Sequence, residues 1–250
     1  MARASFKIST EVREVLKRSK LTEKTLELPA QLDRALYLEV NKVLAGAGGK
    51  WNRSAGLHVF SLDPRELLGI AVETGEAVNL KTKLQAFYTP RPLAERMAEL
   101  AEIGRGDLVL EPSAGGGALA RAARDAGGSP CCVEIDSVAL AALRADGFPT
   151  IPGDFLTMTA PTAGYDRIIM NPPFADGQAV DHVFHAFGFL APHGILVSVV
   201  PEGFWGGPRR QAAALATLSA ALDHEEKLAE GTFAESGTLV RTRLIKLRKP

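Results

Sequence analysis

Asn171-Pro172-Pro173-Phe174 is the stretch of this 250-residue sequence whose residue types are best suited to chemistry. It follows the apolar run Tyr165–Met170, which reads as a buried parallel strand. Two successive prolines donate no backbone hydrogen bond, so they end the strand and leave carbonyl oxygens without ladder partners. Those oxygens and the Asn171 amide oxygen can accept from an amino group, and Phe174 offers a flat aromatic face at the same edge. An acceptor pair beside such a platform suits an exocyclic NH2 on a planar conjugated ring, adenine N6 for example. In an open α/β sheet, ligands bind just beyond the carboxyl ends of the strands, which is where this tetrapeptide falls. The same four residues would also serve as a plain strand-to-helix turn, since Pro-Pro occurs in ordinary loops.

A second set of residues lies upstream. A strand over Asp107–Glu111 leads into Glu111-Pro112-Ser113-Ala114-Gly115-Gly116-Gly117. Glycines directly after a first strand let the backbone approach a ligand closely and open a helix N-terminus toward it. The loop has an acid at its mouth and no Lys-Ser/Thr pair, which disfavours a nucleoside-triphosphate loop. Glu134 closes the next strand, roughly twenty residues beyond the glycines, the usual place for a carboxylate that binds ribose hydroxyls. Asp154-Phe155 falls at the end of the strand after that. Its carboxylate could accept from an adenine amino group while the ring stacks on the base. These residues imply a ligand containing adenosine, either a dinucleotide or S-adenosylmethionine. The plainer alternatives are that Glu111 and Asp136 cap helices and that Phe155 is core.

Hydrophobic spacing supplies the elements that would position these groups. From about residue 85 onward, strand, glycine turn and helix alternate. Helices are expected over Pro92–Leu100, Ala118–Ala126, Val138–Ala145 and Val180–Leu190. Strands are expected over Asp107–Glu111, Cys131–Ile135, near Thr150 and Ile151, and over Tyr165–Met170 and Ile195–Val200. That alternation predicts an α/β fold, a doubly wound, mostly parallel sheet. Thr238–Leu247 alternates in a way that suits a strand added at the far side. Upstream, Thr10–Lys20 and Pro29–Leu44 carry apolar residues at helical spacing, and the second run stops at Gly46-Ala47-Gly48-Gly49. Lys50–Phe60 then reads as a β-hairpin turning near Ser54 to Gly56. A helix restarts at Asp63-Pro64 and runs through Ile70, and Glu73–Lys83 is polar enough to be a connection. The sequence thus divides into a small helix and β-hairpin unit, 1–84, and an α/β domain, 85–250.

A hairpin carrying Lys50, Trp51, Asn52, Arg53 and His58 after a helix has the build of a small nucleic-acid-contacting unit, with Lys50 and Arg53 meeting phosphate. Trp51 could stack on a base or pack beneath the hairpin, and it is expected inside with Phe60, because so small a unit needs its aromatics in the core. Glu202–Trp205 with Pro208-Arg209-Arg210 reads as a glycine-rich mobile loop near the strand ends, where Arg209 and Arg210 contact DNA or simply face solvent. His182 and His185 lie three apart on a predicted helix with no third ligand at convincing spacing. They are read as ordinary helix residues, and no metal is expected.

Composition narrows the setting. The formal net charge is zero, so no whole-molecule field draws the chain onto nucleic acid and any such affinity must come from local patches. Cys131 and Cys132, the only cysteines, are adjacent within an apolar run, which fits reduced core thiols and a reducing compartment. Glu11–Lys20 is charged rather than apolar, and no apolar stretch reaches about 18 residues. A cytoplasmic location without a membrane partner is expected.

Taken in order, Phe87-Tyr88-Thr89-Pro90, the Glu111 to Gly117 loop, Val133-Glu134-Ile135-Asp136, Gly153-Asp154-Phe155-Leu156 and Asn171-Pro172-Pro173-Phe174 resemble the amino-methyltransferases that act on adenine N6 in DNA, in the motif order of their gamma-type members. The resemblance covers about residues 85–250. It implies a Rossmann-like class I methyltransferase fold, S-adenosylmethionine as cofactor and DNA as substrate. Tyr88, Thr89 and Pro90 would help hold the methionine end of the cofactor, with Glu111, Pro112, Ser113, Gly115 and Gly117 of the loop beside it. Glu134 would take the ribose, next to Ile135, and Asp154 and Phe155 the adenine. Asn171, Pro172, Pro173 and Phe174 would form the catalytic motif, with Asn171 also among the cofactor contacts. Direct in-line transfer to a flipped-out base is implied, Phe174 stacking on that base and Phe233, in Gly231-Thr232-Phe233, packing against it. Gamma members usually carry a long target-recognition domain after the catalytic one. This chain stops at Pro250, so short or relaxed sequence specificity is expected, as in compact phage or prophage enzymes. The competing readings are methylation of an RNA base or a protein glutamine, and a cofactor- or DNA-binding protein without catalysis.

Overall fold

The computed structural model describes residues 5–29, 31–60, 62–80, 89–207, 209–234 and 240–250. It divides into two compact units, Met1–Ala86 and Phe87–Pro250.

The first unit runs β1 (Ser5–Lys7), α1 (Thr10–Arg18), β2 (Lys20–Leu21), β3 (Thr25–Glu27), α2 (Arg34–Gly46), β4 (Gly49–Asn52), β5 (Leu57–Phe60), α3 (Arg65–Thr74) and β6 (Glu76–Val78). Ser9 caps α1 by accepting from the Val12 amide, and Asp33 caps α2 by accepting from Ala35 and Leu36. Val12, Val15 and Leu16 of α1 and Val40, Val43 and Leu44 of α2 are the buried positions. A four-stranded sheet in the order β2-β3-β5-β4 contains the expected hairpin, and β1 pairs antiparallel with β6. The stretch read as a polar connection therefore contains a strand. Two- and three-residue strands are too short to display a period of two, and their partners are remote in sequence.

Trp51 is not inside: 47% of it is exposed. Its cross-strand partner His58, read as part of the basic edge, is buried instead. The reason is the strand order. β4 is an edge strand, and the space over its first residue is already filled by Phe60, whose ring would lie 2.7 Å from a Cβ at Gly49.

In the second unit, seven strands form one sheet flanked by helices: α4 (Arg91–Leu100), β7 (Leu108–Glu111), α5 (Ala118–Asp125), β8 (Ser129–Glu134), α6 (Ser137–Ala145), β9 (Thr150–Pro152), β10 (Tyr165–Met170), α7 (Gln178–Gly188), β11 (Leu190–Pro201), α8 (Ala212–Ala220), β12 (Leu222–Lys227) and β13 (Thr242–Arg248). The order is β12-β13-β11-β10-β7-β8-β9, with β13 antiparallel to both of its neighbours and the run β11-β10-β7-β8-β9 parallel throughout. β10 and β11 alternate between two cores. Ile168, Met170, Leu196 and Val200 pack on one face with α7 and α8, and Ile169, Ile195, Val197 and Val199 on the other with α4 and α5. The expected last strand is present as β13 but is not the edge. β12 lies outside it, and its sequence Leu-Asp-His-Glu-Glu-Lys carries the charge that suits an edge strand. Residues 238 and 239 of the expected strand lie outside the described residues.

Gly164 turns the chain into β10 with φ +69°, and a Cβ there would lie 2.5 Å from the Ala191 amide nitrogen. Gly164→Ala combines left-handed strain with overpacking against backbone, so it should cost about 3 kcal/mol in urea denaturation.

Candidate active site

The strand order reverses between β7 and β10, adjacent strands whose chain continuations go in opposite directions across the sheet. A crevice at such a switch point is where open α/β sheets hold ligands. The glycine loop leaves the end of β7 there, and Asn171–Phe174 leaves the end of β10.

Gly115 (φ +48°) and Gly117 (φ +72°) give the loop its left-handed turns. At Gly117 a side chain would also strike Leu143, 2.7 Å from the Cβ position, whereas at Gly115 nothing lies within 4 Å. The loop is thus packed on one side and open at Gly115. Arg121 holds it from the first turns of α5, donating to the Gly116 carbonyl at 2.5 Å and pairing with Asp146. The Glu111 carboxylate points into the protein, accepting from the Ala120 amide at 2.7 Å, and is 2% exposed. Burial pushes its pKa well above the ordinary 4.5, with the Ala120 amide and Arg121 opposing. Pro112 is buried and Ser113 half-buried beside it.

Glu134 ties the neighbouring strand ends together. Its Oε2 accepts from the Gly115 amide at 2.7 Å, its Oε1 from the Ile135 and Asp136 amides at 2.9 and 2.8 Å, and its carbonyl from the Gly153 amide at 2.9 Å. A carboxylate has about four acceptor sites, so a ligand hydroxyl can still be taken. Next to it, Ile135 is 71% exposed, an apolar side chain held out at the sheet's end. Asp154 is exposed and accepts from the Leu156 amide through Oδ1. An exposed apolar face, an acceptor carboxylate and an open glycine backbone on adjacent loops fit a nucleoside.

Asn171 Nδ2 donates to the Thr89 hydroxyl at 3.2 Å, across 82 residues, and Thr89 is itself buried. The bond turns the amide oxygen away from Thr89. Pro172 is buried and Pro173 half-buried. Phe174 is half-buried at the tip of β10, packed against both cores of the sheet. The turn that follows is held by Gln211, which is 4% exposed and donates to the Gly177 carbonyl at 3.1 Å and to Asp181 Oδ1 at 2.7 Å. Arg210 adds a bond to the Asp176 carbonyl at 3.1 Å. Gln211 and Arg121 carried no signal in the sequence, because each acts through backbone brought close by folding.

Phe155 and Phe233 are placed differently from expectation. Phe155 is 2% exposed, its ring packed with His182, His185 and Phe189, so it offers no open face. Phe233 is 4% exposed in the core that also contains Leu244. In the stretch read as a mobile loop, Phe204–Gly206 and Arg209–Gln211 form two short 3-10 turns. There Phe204 is buried and the Trp205 indole donates to Glu225 at 2.7 Å, while Arg209 and Arg210 remain exposed. Lys50 and Arg53 are exposed on the hairpin of the first unit. Burial holds the His182 pKa below 6.5, and no group of three or more possible metal ligands occurs among the described residues. No helix among them is long and apolar enough to cross a membrane. Phe87 and Tyr88 lie outside the described residues; Pro90 is half-buried and precedes α4.

This strand order, with its reversed β13 and the glycine loop after β7, is the Rossmann-like fold of the class I S-adenosylmethionine-dependent methyltransferases. No family model matches the chain. Among solved structures it is similar to a chain from Vibrio vulnificus YJ016 named as the modification subunit of a type I restriction enzyme, with 20% identity, 65% of this chain and 44% of that one covered, and a TM-score of 0.57. It is also similar to a class I S-adenosylmethionine-dependent methyltransferase from Listeria monocytogenes (15% identity, 74% and 66% covered, TM-score 0.54) and to the 23S rRNA methyltransferase ErmE (20% identity, 64% and 68% covered, TM-score 0.50). The match spans less than half the length of the Vibrio subunit.

Below pH about 4.5 Glu111 is protonated in both folded and unfolded chains; above it the unfolded chain ionises first, so stability is lost as pH rises toward the raised folded pKa. Glu111→Gln keeps an oxygen for the Ala120 amide and removes that loss. Urea denaturation should show the variant gaining on the wild type as pH rises from about 5, with a slope of at most about 1.4 kcal/mol per pH unit.

Proposed function

We propose that this protein transfers a methyl group from S-adenosylmethionine to the N6 amino group of adenine in DNA. The observation that carries the reading is the Asn171–Thr89 hydrogen bond, which joins the Asn-Pro-Pro-Phe motif to the Thr-Pro segment and orients the amide at the mouth of the switch-point crevice. The class I methyltransferase fold supports the reaction class, and the likeness to a restriction-enzyme modification subunit supports DNA.

When bound, S-adenosylmethionine supplies a methyl group on a sulfonium. Glu134 would take the ribose hydroxyls, Ile135 would cover one face of the adenine, Asp154 would accept from its amino group, and the Gly115 backbone would allow close approach. With Phe155 in the core, the apolar contact falls to Ile135. Thr89 and Pro90 would border the methionine end, as would Tyr88.

Adenine N6 is a weak nucleophile because its lone pair is delocalised into the ring. Asn171 Oδ1 and the Pro172 carbonyl, accepting both N6 hydrogens, would favour the pyramidal nitrogen and stabilise positive charge as it develops. These are fixed dipoles that need no reorganisation. Positioning the amine supplies much of the rest. Where the target base is paired, its N6 lies inside the stack, and the base would be flipped out to reach Phe174; an unpaired base would reach it directly. Phe233 would act from beneath, by shaping the core on which Phe174 rests, and Arg209 and Arg210 would meet phosphate.

Tritiated methyl transfer to unmethylated DNA, to RNA and to protein extract, followed by nucleoside and amino-acid digestion, tests the reading. N6-methyladenine from DNA is the expected product. Label confined to RNA or to protein amides would overturn the substrate, and no label in any of the three would overturn the activity. Asn171→Ala should lower transfer by about two to three orders of magnitude while leaving S-adenosylhomocysteine affinity within a few-fold, read by calorimetry. Ile135→Ser should do the reverse, weakening the cofactor product with little change in saturated rate.

A further inference from the structure

The hairpin of the first unit presents an aromatic ring and two cations in an arrangement that its own core does not use. Trp51 is 47% exposed on edge strand β4, and its indole N–H meets no acceptor among the described residues. The ring is nonetheless held firmly. Its cross-strand partner His58 contacts it edge-on, with centroids 5.1 Å apart, and His58 is 1% exposed and tied to Asn41 through Nε2 at 3.0 Å. Asn41 Oδ1 only accepts, so Nε2 carries the proton; burial lowers the His58 pKa and keeps the ring neutral. Gly49 is clamped between the Phe60 ring and the Leu44 carbonyl. At the far end the turn is closed by Asn52 Oδ1, which accepts from the Ser54 amide and hydroxyl and from the Ala55 amide at 3.1, 2.7 and 3.1 Å.

The charge on this ribbon is one-signed. Gly49 to Phe60 contains Lys50 and Arg53 and no Asp or Glu, in a chain whose net charge is zero. Lys50 and Arg53 form no ion pair among the described residues, whereas Lys17, Lys20 and Arg65 of the same unit are paired with Glu14, Glu27 and Asp63. Lys50 precedes Trp51 on the other face of the edge strand, and Arg53 follows it at the turn. An indole flanked within two residues by cations on either side matches the repeat of a nucleic-acid strand, base and then phosphate. A duplex keeps its bases stacked on one another, so among nucleic acids an exposed ring finds a free face on an unpaired base.

We propose that the β4–β5 hairpin holds single-stranded nucleic acid, Trp51 stacking on one unpaired base while Lys50 and Arg53 meet the flanking phosphates. This names the form in which the substrate is held, and to that extent rests on the reading above.

The test uses the full chain labelled with 5-fluorotryptophan, which has two 19F signals for Trp51 and Trp205. Trp51→Phe assigns them. The labelled protein is titrated with an oligothymidine and, separately, with a blunt duplex of the same length, without cofactor. The Trp51 signal should move with the single strand and little with the duplex. Trp51→Ala should bind the single strand about tenfold more weakly. Lys50→Gln and Arg53→Gln should each reduce the salt dependence of log K by about 0.7. A Trp51 signal unmoved at saturating single strand, wild-type affinity in Trp51→Ala, or preference for the duplex would overturn the proposal, an unmoved signal with both forms pointing to a protein partner. Because no transfer is read, Trp51 can respond in a protein that methylates no DNA, and methylation can proceed with Trp51 silent, so the two readings fail separately.

Discussion

The carboxylate of Glu134 is the point on which the crevice depends. It closes β8, accepts from Gly115 on one side and from Ile135 and Asp136 on the other, while its own carbonyl takes Gly153. The loops after three adjacent strands are therefore fixed by one residue. Charge-assisted bonds of this kind are roughly twice as strong as neutral ones, and leaving such backbone amides unpaired would be costly. The glycine loop cannot move away from β8 without breaking them. Ile135 stays in the open for the same reason: the two amides bound on its own strand end leave it no freedom to fold inward.

On the other side of the switch point the constraint is packing. Phe174 rests on both cores of the sheet, so the tetrapeptide cannot tilt toward either face without opening contacts on the other. Gln211 and Arg210 then hold the turn at Asp176 and Gly177; the left-handed conformation of Asp176 (φ +51°) is strained for a residue with a Cβ and is kept by that frame. Asn171 is aimed by Thr89 from before the first strand of the sheet. An acceptor amide held in this way has little conformational entropy left to lose when a ligand binds.

Much of this was legible in the chain. β7, β8, β10 and β11 announce themselves as apolar runs ended by glycine or proline, and α4 to α7 by their helical spacing. β12 did not, because six largely charged residues become a strand only through the hydrogen bonds that β13 supplies. α8, Ala-Ala-Ala-Leu-Ala-Thr-Leu-Ser-Ala, is apolar nearly all round and so shows no contrasting face to count. At the site, Glu134, Asp154 and Asn171 could be named from their places at strand ends. Phe155 and Phe233 could be named but not oriented, since an aromatic after a strand points into the core or into the crevice depending on the helix packed beside it. For Phe155 that helix is α7, which brings His182 and His185 against the ring.

By itself the sequence determined the order of strands and helices, the turns at which the chain stops being regular, and the residue types waiting at each strand end. Periodicity, proline and glycine act over a few residues, and that information survives without a fold. Tertiary structure alone decided which of those residues meet. It joined Thr89 to Asn171, buried His58 and left Trp51 at the edge, and turned Glu111 inward to α5 while Glu134 faced the loop. Each of these outcomes depends on backbone groups far apart in the chain competing for the same hydrogen bonds and the same space, and that competition exists only once the sheet has closed.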